Sequence, residues 1–145
     1  MRYYCATVFN KQAKFMTTQN QPLAIIVLAA GKGTRMKSDL AKVLTPLAQK
    51  PMVHHVLEAA GTDSKKVVII GHQADAVRTS INSAFDGVNY AMQTEQLGTG
   101  HAVQQAEAAL SGFEGNAIIL SGDVPLVTPA LIASLQKEHN GNAVT

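Results

Sequence analysis

The chain has 145 residues, of which 46% are hydrophobic and 15% charged, and its formal net charge is +2, which describes one globular domain with an adequate core. That charge is too small to argue for nucleic acid binding, and three tyrosines, four phenylalanines and no tryptophan offer no platform for stacking bases. A single cysteine, Cys5, excludes an internal disulfide framework and suits a reducing, cytoplasmic setting, and no apolar stretch is long enough to span a bilayer.

Residues 1–22 carry Arg2, Lys11 and Lys14, no acid and no clear hydrophobic period, so they read as a disordered leader without function, with Met16 as a candidate natural start. The domain proper is expected over residues 23–145. Residues 24–30 are almost wholly apolar, as befits a parallel strand covered on both faces. Gly31 and Gly33 follow and allow the backbone to turn and approach a ligand closely. Lys32, Arg35, Lys37 and Lys42 then place four positive charges within eleven positions, with Asp39 the only acid among them. This balance suits the phosphates of a nucleoside triphosphate. The spacing is neither G-x-G-x-x-G, since Met36 stands where the third glycine would be, nor G-x-x-x-x-G-K-[ST].

Residues 51–60 predict an amphipathic helix with Met52, Val53, Val56, Leu57 and Ala60 on one face and a solvated face of His54, His55 and Glu58. A buried strand over 67–71 is followed by a helix carrying Ala74, Val77, Ile81, Ala84 and Phe85, and then by a strand over 88–93. Thr99 is the expected N-cap of a helix that turns Ala102, Val103, Ala106, Ala109 and Leu110 inward. A fourth strand is expected over 117–120, a helix from Thr128 and Pro129 through about Lys137, and a further strand from 142. Alternating strands and helices of this kind make an α/β, Rossmann-like, mostly parallel sheet with crossover helices.

In such a sheet ligands bind outside the carboxyl ends of the strands, so the residues just beyond each strand carry the functional expectation. Three groups stand there. The glycine loop is one. Residues 93–101, QTEQLGTGH, offer glutamine edges suited to a nucleobase, with Gly98 and Gly100 permitting close approach, or are only a polar connection ending in a helix cap. Asp123, after Ser121 and Gly122, is placed to hold a hydrated Mg²⁺ that bridges phosphate oxygens, or to cap a turn with Pro125. His72 follows a strand and His101 falls in a helix's first turn, so either could touch a ligand, but no histidine pair has zinc-ligand spacing and there is no second cysteine, which argues against a metal hydrolase.

The run from Leu28 to Met36, LAAGKGTRM, with Lys42 after it, resembles the signature of the sugar-nucleotide pyrophosphorylases. Together with QTEQLGTGHA and LSGDVPL it resembles, over residues 23–145, the N-terminal part of the uridyltransferase domain found in the bacterial bifunctional N-acetylglucosamine-1-phosphate uridyltransferase and glucosamine-1-phosphate acetyltransferase family. The resemblance implies a nucleotide-diphospho-sugar transferase fold, incomplete at the C-terminus. It implies transfer of a uridylyl group from UTP to N-acetylglucosamine 1-phosphate with Mg²⁺, giving UDP-N-acetylglucosamine for cell-envelope synthesis. Leu28, Ala29, Ala30 and Gly31, with Gly33 and Thr34, would line the nucleoside and phosphates. Arg35 and Lys42 would act on the phosphate oxygens, Gln93, Gly98 and Thr99 would recognise uracil and ribose, and Asp123 would bind the metal. Neither nucleic acid nor membrane is an expected partner, and a trimer is expected only of a full-length form with the family's β-helix domain. The family's second metal ligand, an asparagine, and most of its sugar contacts fall beyond Thr145. The family has a proline before its second basic residue, whereas Ala41 precedes Lys42, so this arm is expected to be looser. A pyrophosphorylase for another base or sugar, or a non-catalytic nucleotide-binding module, remains an alternative.

Overall fold

A computed structural model describes residues 21–31, 33 and 40–139. In chain order the elements are β1 (Leu23–Leu28), the hairpin strands β2 (Pro46–Leu47) and β3 (Lys50–Pro51), α1 (Met52–Ala59), β4 (Lys65–Ile70), α2 (Ala74–Asn82), β5 (Val88–Met92), α3 (Thr99–Gln104), β6 (Asn116–Ser121) and α4 (Pro129–Glu138). Single 3-10 turns occupy Lys42–Leu44 and Ala108–Leu110. The four long strands form one parallel sheet in the order β5-β4-β1-β6.

The apolar runs become strands because alternate side chains find cover on both faces. Ile25, Val27, Val68 and Ile70 point into a core closed by α1, α2 and α4, while Ile26, Val67 and Ile69 point into a smaller core closed by Ala102 and Ala106. Ile25, Val27, Val67, Val68, Ile69 and Ile70 are all fully buried. Val53, Val56 and Leu57 of α1, Val77 and Ile81 of α2 and Ile132 of α4 complete the larger core. Thr128 caps α4 by accepting a hydrogen bond from the Leu131 amide, with Pro129 in the first turn.

Several expectations change. The first strand ends at Leu28, two residues early, although the Ala29 amide still donates to the Ile69 carbonyl at 2.8 Å. The N-cap of α3 is Gly98 at φ 102°, with Thr99 as the first helical residue. That helix stops at Gln104, after which the bonding tightens to a three-residue spacing, as in Ala106 N–H to Val103 C=O at 3.0 Å. Its inward stripe nevertheless persists through Ala109 and Leu110. Ala84 lies beyond the end of α2 and is exposed. The hairpin of β2 and β3 carries none of the usual Asn-Gly signal, since its turn residues Ala48 and Gln49 take φ of 47° and 68°.

His54 is the clearest correction. It is 9% exposed instead of solvated, because Ser80 of α2 and Phe85 just beyond that helix cover it. Its Nε2 lies 3.0 Å from Ser80 Oγ and its ring meets Phe85 edge-on at 5.2 Å between centroids. Burial lowers its pKa below 6.5, outweighing the opposing effects of Ser80 and Glu58. His55, by contrast, stays near the surface and bonds the Leu47 carbonyl. The leader through residue 20 and the strand expected from 142 lie outside the described residues.

Candidate active site

The strand order sets the position of the cleft. From β1 the chain builds outward through β4 to β5, then returns to the other side of β1 with β6, so the loops leaving β1 and β6 diverge and open a crevice. Gly122 donates its N–H to the Leu28 carbonyl at 2.9 Å across the floor of this crevice. A Cβ on Gly122 would stand 3.0 Å from that oxygen, so glycine is what lets the two strand ends close up. The resulting cleft has a volume of about 410 Å³, within the range of small-molecule sites. Leu28, Ala30, Gly31, Gly33 and Lys42 line one wall, Gln93, Gln96, Gly98 and Thr99 a second, and Ser121 and Asp123 a third.

Lys42 reaches the cleft from the end of the basic arm. Its backbone is seated closely: Gly33, at φ 59°, has room only for hydrogen, since a Cβ there would stand 2.8 Å from Lys42 Cβ. The Thr45 amide bonds the Lys42 carbonyl and the Leu44 amide bonds that of Ala41, which forms the 3-10 turn. Ala41 is buried, at φ −54°, and its N–H donates to Gln73 Oε1 at 2.7 Å. The arm that lacks the family's proline is thus held by a side chain from the loop after β4.

The Lys42 Nζ donates to Asp123 Oδ2 at 2.5 Å, and Ser121 Oγ donates to Asp123 Oδ1. Burial alone would raise the pKa of Asp123, but the hydrogen bonds from Lys42 and Ser121 and the lysine's charge more than offset it, and the carboxyl stays below its ordinary value. An ionised carboxylate, hard in donor character and one-quarter exposed, therefore faces a lysine across the cleft. Such a carboxylate suits Mg²⁺, which usually takes one or two protein oxygens and completes its octahedron with water and phosphate. Among the described residues no group of three or more His, Cys, Asp or Glu could hold a metal ion.

The second wall is built around two glutamines. Gln93, buried just past β5, donates through Nε2 to the Gly98 carbonyl at 3.2 Å and lies 3.3 Å from His101 Nδ1. Gln96 donates to the Ala30 carbonyl at 2.9 Å and so ties this loop to the end of β1. Gly98 supplies the left-handed backbone that starts α3 at the cleft edge.

Of the residues expected from sequence, Leu28, Ala30, Gly31, Gly33, Lys42, Gln93, Gly98, Thr99 and Asp123 all meet at the one cleft. Ala29 is buried with the larger core, and Thr34 and Arg35 lie outside the described residues. The sequence reading missed Gln73, which lies in an unremarkable polar stretch, and the signal for it is conformational: it is one of three described non-glycine residues at positive φ.

The family model of the MobA-like NTP transferase domain matches residues 25–145. The chain is 52% identical over 118 residues to the bifunctional protein GlmU of Sphingopyxis alaskensis, a match covering 80% of this chain and 26% of that protein. It is 53% identical over 128 residues to the bifunctional protein GlmU of Geobacter metallireducens, covering 85% and 26%. The chain therefore spans about a quarter of the length of these curated relatives. The fold matches Rv0371c of Mycobacterium tuberculosis with a TM-score of 0.70 at 25% identity, over 87% of this chain and 63% of that one. It matches a nucleotidyl transferase of a Methanothermobacter species with a TM-score of 0.65 at 23% identity, over 83% and 58%. The fold is thus that of the nucleotide-diphospho-sugar transferases, as expected.

Proposed function

Because the chain belongs to the MobA-like NTP transferase domain family, whose members are nucleotidyltransferases, we propose that its cleft is the nucleotide half of a UTP:N-acetylglucosamine-1-phosphate uridylyltransferase. The observation that carries this is the convergence of Lys42, Asp123 and Gln93 on one crevice at the switch point of the sheet. The likeness to GlmU at about half identity supports the choice of uridylyl transfer over other members of the family.

In the proposed reaction a phosphate oxygen of the sugar 1-phosphate attacks the α-phosphorus of UTP in line. A new P–O bond forms as the bond to the bridging oxygen breaks, and pyrophosphate carries away the electron pair. Catalysis of this kind is positioning and charge stabilisation, with no covalent enzyme intermediate required. Lys42 neutralises charge on the phosphate oxygens, and Arg35 from the same arm does the same. Asp123 would hold Mg²⁺, which would supply charge neutralisation at the phosphates. Gln93, with its amide oriented by the Gly98 carbonyl, presents its edge to the uracil, and Gly98 and Thr99 border the ribose. Leu28, Ala30, Gly31, Gly33 and Thr34 border the nucleoside and its phosphates, with Ala29 contributing through its backbone. On this proposal the reaction runs in the cytoplasm, where nucleoside triphosphates are made, and feeds cell-envelope synthesis.

Calorimetric titration of the chain with UTP and Mg²⁺, with CTP and GTP as controls, tests the proposal. Selective UTP binding is expected. Equal binding of all three would overturn the base assignment, and absence of binding by a cooperatively folded chain would remove the nucleotide assignment for this chain.

A further inference from the structure

The loop that follows β4 does not line the cleft, yet it packs against Gln93 and Ala30 and bonds the basic arm at Ala41. Gly71 is packed so tightly that a Cβ would stand 2.9 Å from the Gln93 carbonyl and 3.0 Å from Ala30 Cβ. The His72 amide donates to the Ala30 carbonyl at 3.2 Å. Gln73 then adopts φ 52° and ψ 40°, a left-handed conformation that costs an L-residue with a side chain and that glycine would take freely. It opens α2 without capping that helix through its side chain. Instead the side chain crosses to the basic arm and accepts the Ala41 N–H at 2.7 Å.

Strain of this kind persists only where the surroundings impose it, and an observed outlier is grounds for a functional hypothesis. What the strained conformation achieves is visible on the arm. Ala41 sits at φ −54°, immediately before Lys42, and is nearly inaccessible at 1% exposure. Its amide would otherwise be a buried donor without a partner, and the turn that aims Lys42 at Asp123 starts from its carbonyl. We propose that Gln73 is a positioning residue for phosphate recognition, fixing Ala41 and through it the direction of Lys42. This rests on the nucleotide assignment above for its consequence in binding, but not for its structural content.

The test uses two single variants, each also combined with Ala41→Pro, and three readouts: melting, hydrogen exchange of the segment spanning 40–45, and the dissociation constant for Mg²⁺ and UTP. Gln73→Met keeps the length but offers only a weak thioether acceptor, and is expected to speed exchange in the segment and to weaken binding about tenfold, the loss of one hydrogen bond to the arm. Gln73→Gly relieves the left-handed strain, so it should melt no lower than the parent while loosening the arm to the same degree. A residue serving stability alone would move melting and binding together. Adding Ala41→Pro to either variant should restore slow exchange at 42–45 and binding to within about twofold, because φ −54° is a proline angle and proline needs no acceptor. Unchanged exchange in Gln73→Met, or failure of Ala41→Pro to restore it, overturns the inference. If the parent chain does not bind UTP, the nucleotide assignment falls, while the exchange measurements still decide whether Gln73 holds the arm.

Discussion

The interior of the sheet and the rim of loops at its carboxyl edge are stabilised in different ways. The interior is a set of interchangeable apolar contacts: Ile25, Val27, Val68 and Ile70 on one face and Ile26, Val67 and Ile69 on the other, nearly all without exposed surface. The rim depends on individual polar bonds that cross between loops, from Gln73 to Ala41, from Gln96 to Ala30, and from Lys42 and Ser121 to Asp123. Folding energy scales with the first kind of contact, whereas the shape of the cleft depends on the second. Substitutions in the two regions should therefore have separable effects.

The largest effect on stability is expected in the interior. Ile69→Ala should cost about 2–5 kcal/mol in urea unfolding, while the fraction that remains folded binds nucleotide as before. A binding defect in that folded fraction would break the distinction. Asp123→Asn is the converse. In a complete catalytic domain it should lower Mg²⁺-dependent turnover by on the order of a hundredfold or more, as does loss of one charge-stabilising group in other active sites, with melting nearly unchanged. Normal turnover at ordinary Mg²⁺ would remove the metal assignment. Thr128→Ala, which deletes the α4 cap at the edge of the fold, should cost about 1 kcal/mol and leave binding untouched.

The smallest expected effect comes from His54, which joins α1 to α2. Its pKa is lowered in the folded state by burial, so below about pH 6.5 the unfolded chain takes up more protons than the folded one. The contribution of neutral His54 is present above that pH and is lost as the pH falls through its folded value. Urea midpoints between pH 5 and 7.5 should decline toward acid in the parent and decline less in His54→Leu. An identical slope in both would show that other groups carry the pH dependence.

The same contrast explains what could be read from the sequence. Strands of the parallel sheet announce themselves because burial on both faces demands unbroken apolar runs such as 24–30 and 67–70, and its four strands lie within one or two residues of the expected ends, whereas the short hairpin strands β2 and β3 carry no such run. The site was largely legible because the glycines, Lys42, Gln93 and Asp123 follow directly after strands, where the topology brings them together. His54 was misplaced because helical periodicity reports one buried face and is silent about a second helix crossing the other. Gln73 escaped because its role lies in a backbone angle and in a bond to a residue 32 positions away, neither of which leaves a compositional trace. At the position of the missing family proline, the Ala41 amide makes a hydrogen bond that proline could not make.

The carbonyl oxygens at the mouth of β1 have a bearing on ligand choice. That of Leu28 is taken by the Gly122 amide, and that of Ala30 by two donors at once, the His72 amide and the Gln96 side chain. A carbonyl directed at an anion repels it, and here two such dipoles are occupied by the protein's own donors. On the proposed nucleotide assignment, the engagement of those lone pairs would leave fewer negative poles to oppose what Lys42 offers a phosphate.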